Sequence, residues 1–178
     1  MSSKNIVLIG MPGSGKSTVG VLLAKRLGLG FTDTDLLIQQ ETGCTLQTIV
    51  DTEGYETLRQ VEARVLQGLN VRGQVISTGG SAVYSEAAMA HLSSNGIVVF
   101  LDIPLAEVMG RIGDFSLRGI SRHPDQTLED LFDERLALYS RYGQIVIRAD
   151  RKTPDQVCEA VADKVARQLL TPAGSPAR

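Results

Sequence analysis

An α/β domain built on a parallel sheet is what this sequence of 178 residues predicts. Three observations carry the prediction. Short runs rich in Val and Ile alternate with segments of helical periodicity. The runs are apolar at consecutive positions, as strands buried on both faces of a parallel sheet require. A glycine-rich turn falls directly after the first run and directly before a helical segment, the arrangement of a βα unit.

The elements follow in order. "NIVLIG" (Asn5 to Gly10) reads as the first strand. Leu22, Leu23 and Leu27 continue beyond the turn as a helix, and Gly28 closes it as a C-cap. "FTD" (Phe31 to Asp33) is a short strand; carried on through Asp35, it would point both aspartates the same way, because side chains alternate along a strand. Leu58, Val61, Val65, Leu66 and Leu69 recur at helical spacing over 57–69. "QVIST" (74–78), "GIVVFLD" (96–102) and "GQIVIR" (143–148) complete five strand candidates. Thr153, Pro154 and Gln156 open the last helix as a capping box with proline in the first turn, and Val157, Val161, Val165 and Leu169 form its apolar stripe. Residues 113–126 are polar and rich in Gly, Ser and Arg, which predicts a mobile lid, and 171–178 read as a disordered tail. One domain over 1–170 follows, with acceptor-side helices at about 34–70.

Bulk properties narrow the function. A net charge of −2 and a pI near 5.7 speak against a nucleic-acid binder or an anionic-membrane binder. Cys44 and Cys158 are far apart, in no metal or redox spacing, and read as two buried thiols of a reduced, cytoplasmic protein. The N-terminal apolar run is too brief for a signal peptide or a membrane span. A monomer acting on a small molecule is the expectation.

"GMPGSGKST" (Gly10 to Thr18) satisfies G-x-x-x-x-G-K-[ST] in the context the motif needs. Its glycines let backbone N–H groups turn inward around phosphate, and the helix N-terminus adds partial positive charge. Gly13, Ser14, Gly15, Lys16, Ser17 and Thr18 are therefore assigned to a nucleotide's phosphates. Lys16 reaches the β- and γ-phosphates, and the Ser17 hydroxyl ligates Mg²⁺. No Asn/Thr-Lys-x-Asp base-reading motif of a GTPase is present. Asp102, at a strand end, is either a metal-side carboxylate or, the preferred reading, a cap for the turn after it.

Beside a Mg-nucleotide, Asp33 can hold metal-bound water, and Asp35 can accept a hydrogen bond from an alcohol about to attack phosphorus. The alternative for Asp35 is a helix N-cap. Arg59 and Glu62 stand three apart on one helix and can pair, making Arg59 a clamp for a substrate carboxylate or an ordinary surface ion pair. Gly79 and Gly80 follow a strand and give either close backbone approach to a ligand or a tight turn. Arg111, Arg118, Arg122 and Arg135 cluster in and around the lid, where a closing arginine could stabilise the transferring phosphoryl group; Arg122 reads as solvated.

Taken together, "GMPGSGKSTVG", "DTD", "GYETLRQVE", "STGGSAV", "LDIP" and the lid-region arginines resemble the shikimate kinase family, from Asn5 to about Leu169. The resemblance implies a P-loop kinase fold: three layers, with a five-stranded parallel sheet flanked by helices. It implies ATP as donor, Mg²⁺ as metal and the shikimate 3-hydroxyl as acceptor. Asp35 would then engage the ring hydroxyls, and Arg59 and Arg135 would grip the carboxylate with Gly79 and Gly80 nearby. Lys16 and Arg118 would stabilise the phosphoryl group, Arg111 would stack on adenine, and Arg151 would flank it. The chain departs from the family pattern at Val50, Leu58, Ser81, Gly119 and Ala137, which predicts a reshaped acceptor pocket. A kinase of another hydroxy acid, such as homoserine or a sugar acid, and a nucleotide-binding regulator without turnover are the rival readings.

Overall fold

The computed structural model describes residues 4–112 and 119–170. Five parallel strands form one sheet in the order β2-β3-β1-β4-β5: β1 (Asn5–Ile9), β2 (Gly30–Asp33), β3 (Gln74–Ser77), β4 (Gly96–Asp102) and β5 (Ile145–Arg148). All five sequence candidates are strands. β1 lies at the centre, where Leu8 pairs with Ser77 on one side and Val99 on the other. Ile6 to Ile9 are almost wholly buried, because helices cover both faces. The edge strand β5 differs. It alternates buried Ile145 and Ile147 with exposed Val146 and Arg148, so the expected burial on both faces fails there for want of a second cover.

The helices are α1 (Lys16–Leu27), α2 (Thr34–Thr42), α3 (Leu46–Glu53), α4 (Tyr55–Gly68), α5 (Glu86–Ser94), α6 (Leu105–Ile112), α7 (Leu128–Tyr142) and α8 (Pro154–Leu170), with a 3₁₀ turn at Ala82–Tyr84. Gly28 closes α1 in the left-handed conformation, its N–H bonded to the Ala24 carbonyl. The capping box of α8 is formed: the Thr153 N–H donates to Gln156 Oε1 and the Gln156 N–H to Thr153 Oγ1. Val157, Val161 and Val165 are buried, whereas Leu169, expected on the same stripe, is exposed at the end of the helix. Cys158 is buried and Cys44 only half-buried; both are free. No helix among the described residues is long and apolar enough to cross a membrane.

Two cores result. The large one fills the space between sheet and helices. A separate cluster of Ile38, Ile49, Leu58 and Val61 holds α2, α3 and α4 to one another. Residues 113–118 and 171–178 lie outside the described residues, and with them Arg118, the first part of the expected lid and the expected disordered tail. The rest of the lid segment, 119–126, has no helix or strand. Its beginning is nonetheless packed in: Ile120 and Ser121 are buried.

Candidate active site

The strand order reverses at β1, and the glycine-rich turn leaves its carboxyl end, the position where open parallel sheets bind ligands. Gly10, Gly13 and Gly15 all have positive φ. At Gly10 a Cβ would sit 2.7 Å from the Leu101 carbonyl oxygen, so only glycine lets the turn pass this close to β4. Lys16, buried in this turn, donates to the carbonyls of Gly10 at 2.8 Å and Met11 at 2.9 Å. Burial lowers its pKa to about 8, opposed by the negative charge of Asp35 and assisted by the positive charge of Arg135.

The two aspartates face this turn, by a route the strand argument does not give. β2 ends at Asp33, which caps α2 by accepting from the Asp35 N–H at 3.0 Å. Asp35 therefore stands in the first helical turn, and the capping role weighed for it belongs to Asp33. The second oxygen of Asp33 accepts from the Ser17 hydroxyl at 2.7 Å, with Ser77 3.1 Å from Ser17. An adjoining hydroxyl and carboxylate form the oxygen donor set that Mg²⁺ takes alongside phosphate oxygens, so these residues fit the expected metal. Asp35 Oδ1 is buried with no hydrogen-bond partner. Burial, then the charge of Asp33, raise its pKa to about 6 against the opposing pull of Lys16.

Lys16, Ser17 and Asp35 line one cleft of about 390 Å³. On the nucleotide side its walls include Gly13, Gly15, Lys16, Ser17 and Thr18, and on the other Asp35, Glu62, Gly79, Gly80, Ser121 and Arg135. Gly79 and Gly80 let these side chains come close to the backbone. A Cβ on Gly79 would sit 2.9 Å from Asp35 Oδ1 and closer still to Glu62 Oε1; one on Gly80 would sit 2.7 Å from the Arg135 guanidinium. Arg135 is only 1 % exposed, and among the described residues no carboxylate lies within ion-pair distance of it. Its Nη2 donates to the Ser121 carbonyl at 2.7 Å, while its Nε has no partner. A buried cation left this way is costly unless an anion completes it.

Arg59 behaves differently from the expectation. It does not pair with Glu62. Its guanidinium lies over the Tyr84 ring at 3.6 Å, and its Nε donates to Ser121 Oγ at 2.8 Å. It lines a neighbouring groove with Tyr55 and His123, separated from the cleft by Ser121. Glu62 is buried instead, accepting a short hydrogen bond from Ser81, the residue that departs from the family's third glycine. Its other oxygen is unpartnered, and burial, aided by Asp35, raises its pKa to about 7 against the Ser81 bond and the charges of Arg135 and Lys16. The sequence did carry a signal for this. Leu58, Glu62 and Leu66 fall on one helical stripe, so a carboxylate stands where an apolar residue belongs. Nothing local marks Ser121, whose partners are 14 to 66 residues away.

The remaining sites sort themselves by distance from the turn. Arg111 Nη1 donates to the Gly13 carbonyl at 3.2 Å, and the Arg151 N–H to Glu107 at 3.1 Å, on the same flank. Ser14 is buried, its hydroxyl 3.5 Å from Lys16 Nζ. Asp102 lies beside Arg148 of the adjacent strand, at 3.4 Å. Arg122 donates within its own loop, to the Gln126 carbonyl. Of the departing residues, Leu58 lines the cleft and Val50 packs on the small core.

A family model described as shikimate kinase matches residues 12–167. A shikimate kinase of Sulfurihydrogenibium sp. (strain YO3AOP1) is 37 % identical over 166 residues, 93 % of this chain and 99 % of the relative. One from Synechococcus sp. (strain CC9902) is 38 % identical over 175 residues, 96 % of this chain and 88 % of the relative. Among solved structures, shikimate kinase from Acinetobacter baumannii in complex with shikimate superposes with a TM-score of 0.85 at 29 % identity, covering 94 % of this chain and 96 % of that one. Shikimate kinase from Aquifex aeolicus gives 0.80 at 33 % identity, covering 93 % and 98 %.

Proposed function

The chain belongs to the shikimate kinase family, and from that premise we propose that it transfers the γ-phosphoryl group of ATP to the 3-hydroxyl of shikimate, a step of aromatic amino-acid biosynthesis. The observation that carries the acceptor assignment is a pairing inside one cleft. Asp35 presents a buried oxygen without a partner beside the phosphate-binding turn, and buried Arg135 has no carboxylate within ion-pair distance among the described residues. A small molecule with both a hydroxyl and a carboxylate satisfies both.

Asp35 accepts the proton of the attacking hydroxyl as the oxygen–phosphorus bond forms. The bond from the γ-phosphorus to the bridging oxygen breaks, and ADP leaves with that electron pair. Lys16 leaves its loop carbonyls for the phosphate oxygens, where its charge offsets the charge that spreads in the transition state. Mg²⁺, when bound, neutralises the β- and γ-phosphate oxygens; the Ser17 hydroxyl and Asp33 would hold it. Arg118 is proposed as the lid's cation at the same phosphoryl group, and Arg111 and Arg151 as the flank for adenine. Arg135, with Arg59 joining from the adjoining groove, grips the acceptor carboxylate. The reading further takes the protein to work as a cytoplasmic monomer.

The test is ADP release by purified protein offered shikimate, homoserine and sugar acids, with ATP and Mg²⁺. Turnover confined to shikimate is the expected result. Faster turnover of another hydroxy acid would reassign the acceptor, and nucleotide binding without turnover of any would remove the kinase reading.

A further inference from the structure

The two halves of the cleft fix the direction in which a nucleotide must lie. The acceptor groups Asp35 and Gly79 stand on the β2 and β3 side of the glycine-rich turn, and the Arg135 guanidinium reaches in from α7 to lie against Gly80, just after β3. In-line transfer points the γ-phosphate toward them, so the nucleoside extends the other way, over the carboxyl ends of β4 and β5. That flank holds α6, which follows β4, and the loop from β5 to α8.

There Glu107 joins three segments. Its Oε2 pairs with the Arg111 guanidinium at 2.6 Å, and Arg111 also donates to the Gly13 carbonyl of the phosphate turn at 3.2 Å. Its Oε1 accepts the Arg151 N–H at 3.1 Å. Arg151 has a φ of 54°, the one non-glycine residue among those described in the left-handed region, where a side chain is strained. The last turn of α6 is pressed on the phosphate turn as well: a Cβ on Gly13 would lie 3.1 Å from Ile112. A lone surface ion pair would be worth little. This carboxylate instead uses each oxygen for a different chain segment, and both segments border the path of the nucleoside.

We propose that Glu107 is a positioning residue for nucleotide binding: it sets the Arg111 side chain and the strained Arg151 backbone as the two sides of the seat for the base. This rests on the reading of the cleft as an ATP site. Glu107 touches neither phosphate nor acceptor, so its loss weakens ATP while sparing ligands that lack a base.

Titration calorimetry of the full chain with Mg²⁺, without acceptor, tests this using ATP and inorganic tripolyphosphate as probes. Glu107→Ala is expected to weaken ATP about tenfold, the worth of two ordinary hydrogen bonds. Its tripolyphosphate affinity stays at the wild-type value. Glu107→Gln keeps an oxygen for the Arg151 N–H and recovers part of the loss. Unchanged ATP affinity in Glu107→Ala overturns the proposal. So does equal weakening of ATP and tripolyphosphate, which would mean collapse of the phosphate turn, and so does a Gln variant as weak as Ala. Binding is read without turnover, so wild-type protein that binds ATP and phosphorylates no acceptor refutes the kinase reading alone.

Discussion

The phosphate side of the cleft and the acceptor side are built on different foundations. The glycine-rich turn grows from β1, the central strand, whose residues Ile6 to Ile9 anchor the large core, and α1 is packed on α8 behind it. The acceptor side draws Asp35 and Glu62 from α2 and α4, which the small core of Ile38, Ile49, Leu58 and Val61 joins to α3, and Arg135 from α7. Its polar groups also differ in kind. Lys16 satisfies itself within its own turn, whereas Asp35, Glu62 and Arg135 each keep a buried atom without a partner. On the proposed reading, those unpartnered atoms are the ones an acceptor would satisfy.

Five substitutions test this difference between the two sides. The largest effect is expected at Lys16. Lys16→Met should lower kcat by about 10³-fold or more for every acceptor, measured by ADP release, because it removes the cation that offsets the charge of the transferring phosphoryl group. Acceptor binding should persist.

Asp35→Asn should cost about 10²–10⁴ in kcat while calorimetry still detects ATP. The wild-type profile carries the matching signature. Asp35 must be ionised to take the proton, so kcat/KM should fall as pH drops below about 6, the value to which burial raises it. A profile flat to pH 5 would exclude Asp35 as the base.

Arg135→Ala should raise the acceptor KM by roughly 10- to 150-fold, the worth of a charge-assisted hydrogen bond of about 1.5–3 kcal/mol. The ATP KM should not move. Arg59→Ala should act in the same direction by a smaller factor, since Ser121 and Tyr84 already engage that guanidinium. Equal factors would mean that the two arginines share one site.

The smallest effect concerns stability. Burial pushes the Glu62 carboxyl up to about 7 in the folded state, above the ordinary glutamate range, so the folded protein binds that proton more tightly than the unfolded chain. The resulting stabilisation is present below the unfolded value and is lost as pH rises through about 7. Glu62→Gln should therefore melt a few degrees above wild type at pH 8, with the gap narrowing at pH 5, as thermal unfolding would show. A variant that melts lower at both values would mean that the carboxylate is held by a cation after all.

Much of this molecule was legible in one dimension. The five strands, the phosphate turn and both caps named from the sequence depend on residues close together along the chain: Gly28 with Ala24, Thr153 with Gln156, Lys16 with Gly10. The direction of Asp35 was right for the wrong local reason. Strand alternation predicted it, and a helix start capped by Asp33 produced it. The Arg59–Glu62 pair failed because helical spacing permits a contact without requiring it, and stronger partners arrived from elsewhere in the chain. Ser81 took Glu62, and Tyr84 with Ser121 took Arg59.

The sheet, the glycine-rich turn and the identity of the charged groups can be read from the residues alone, because periodicity and backbone propensity act over a few residues. Only the tertiary structure decided which of those groups are buried without partners, and that Ser121 stands between the two arginines. Burial and pairing of this kind depend on segments as far as 66 residues apart, brought together by packing. No local pattern encodes that arrangement.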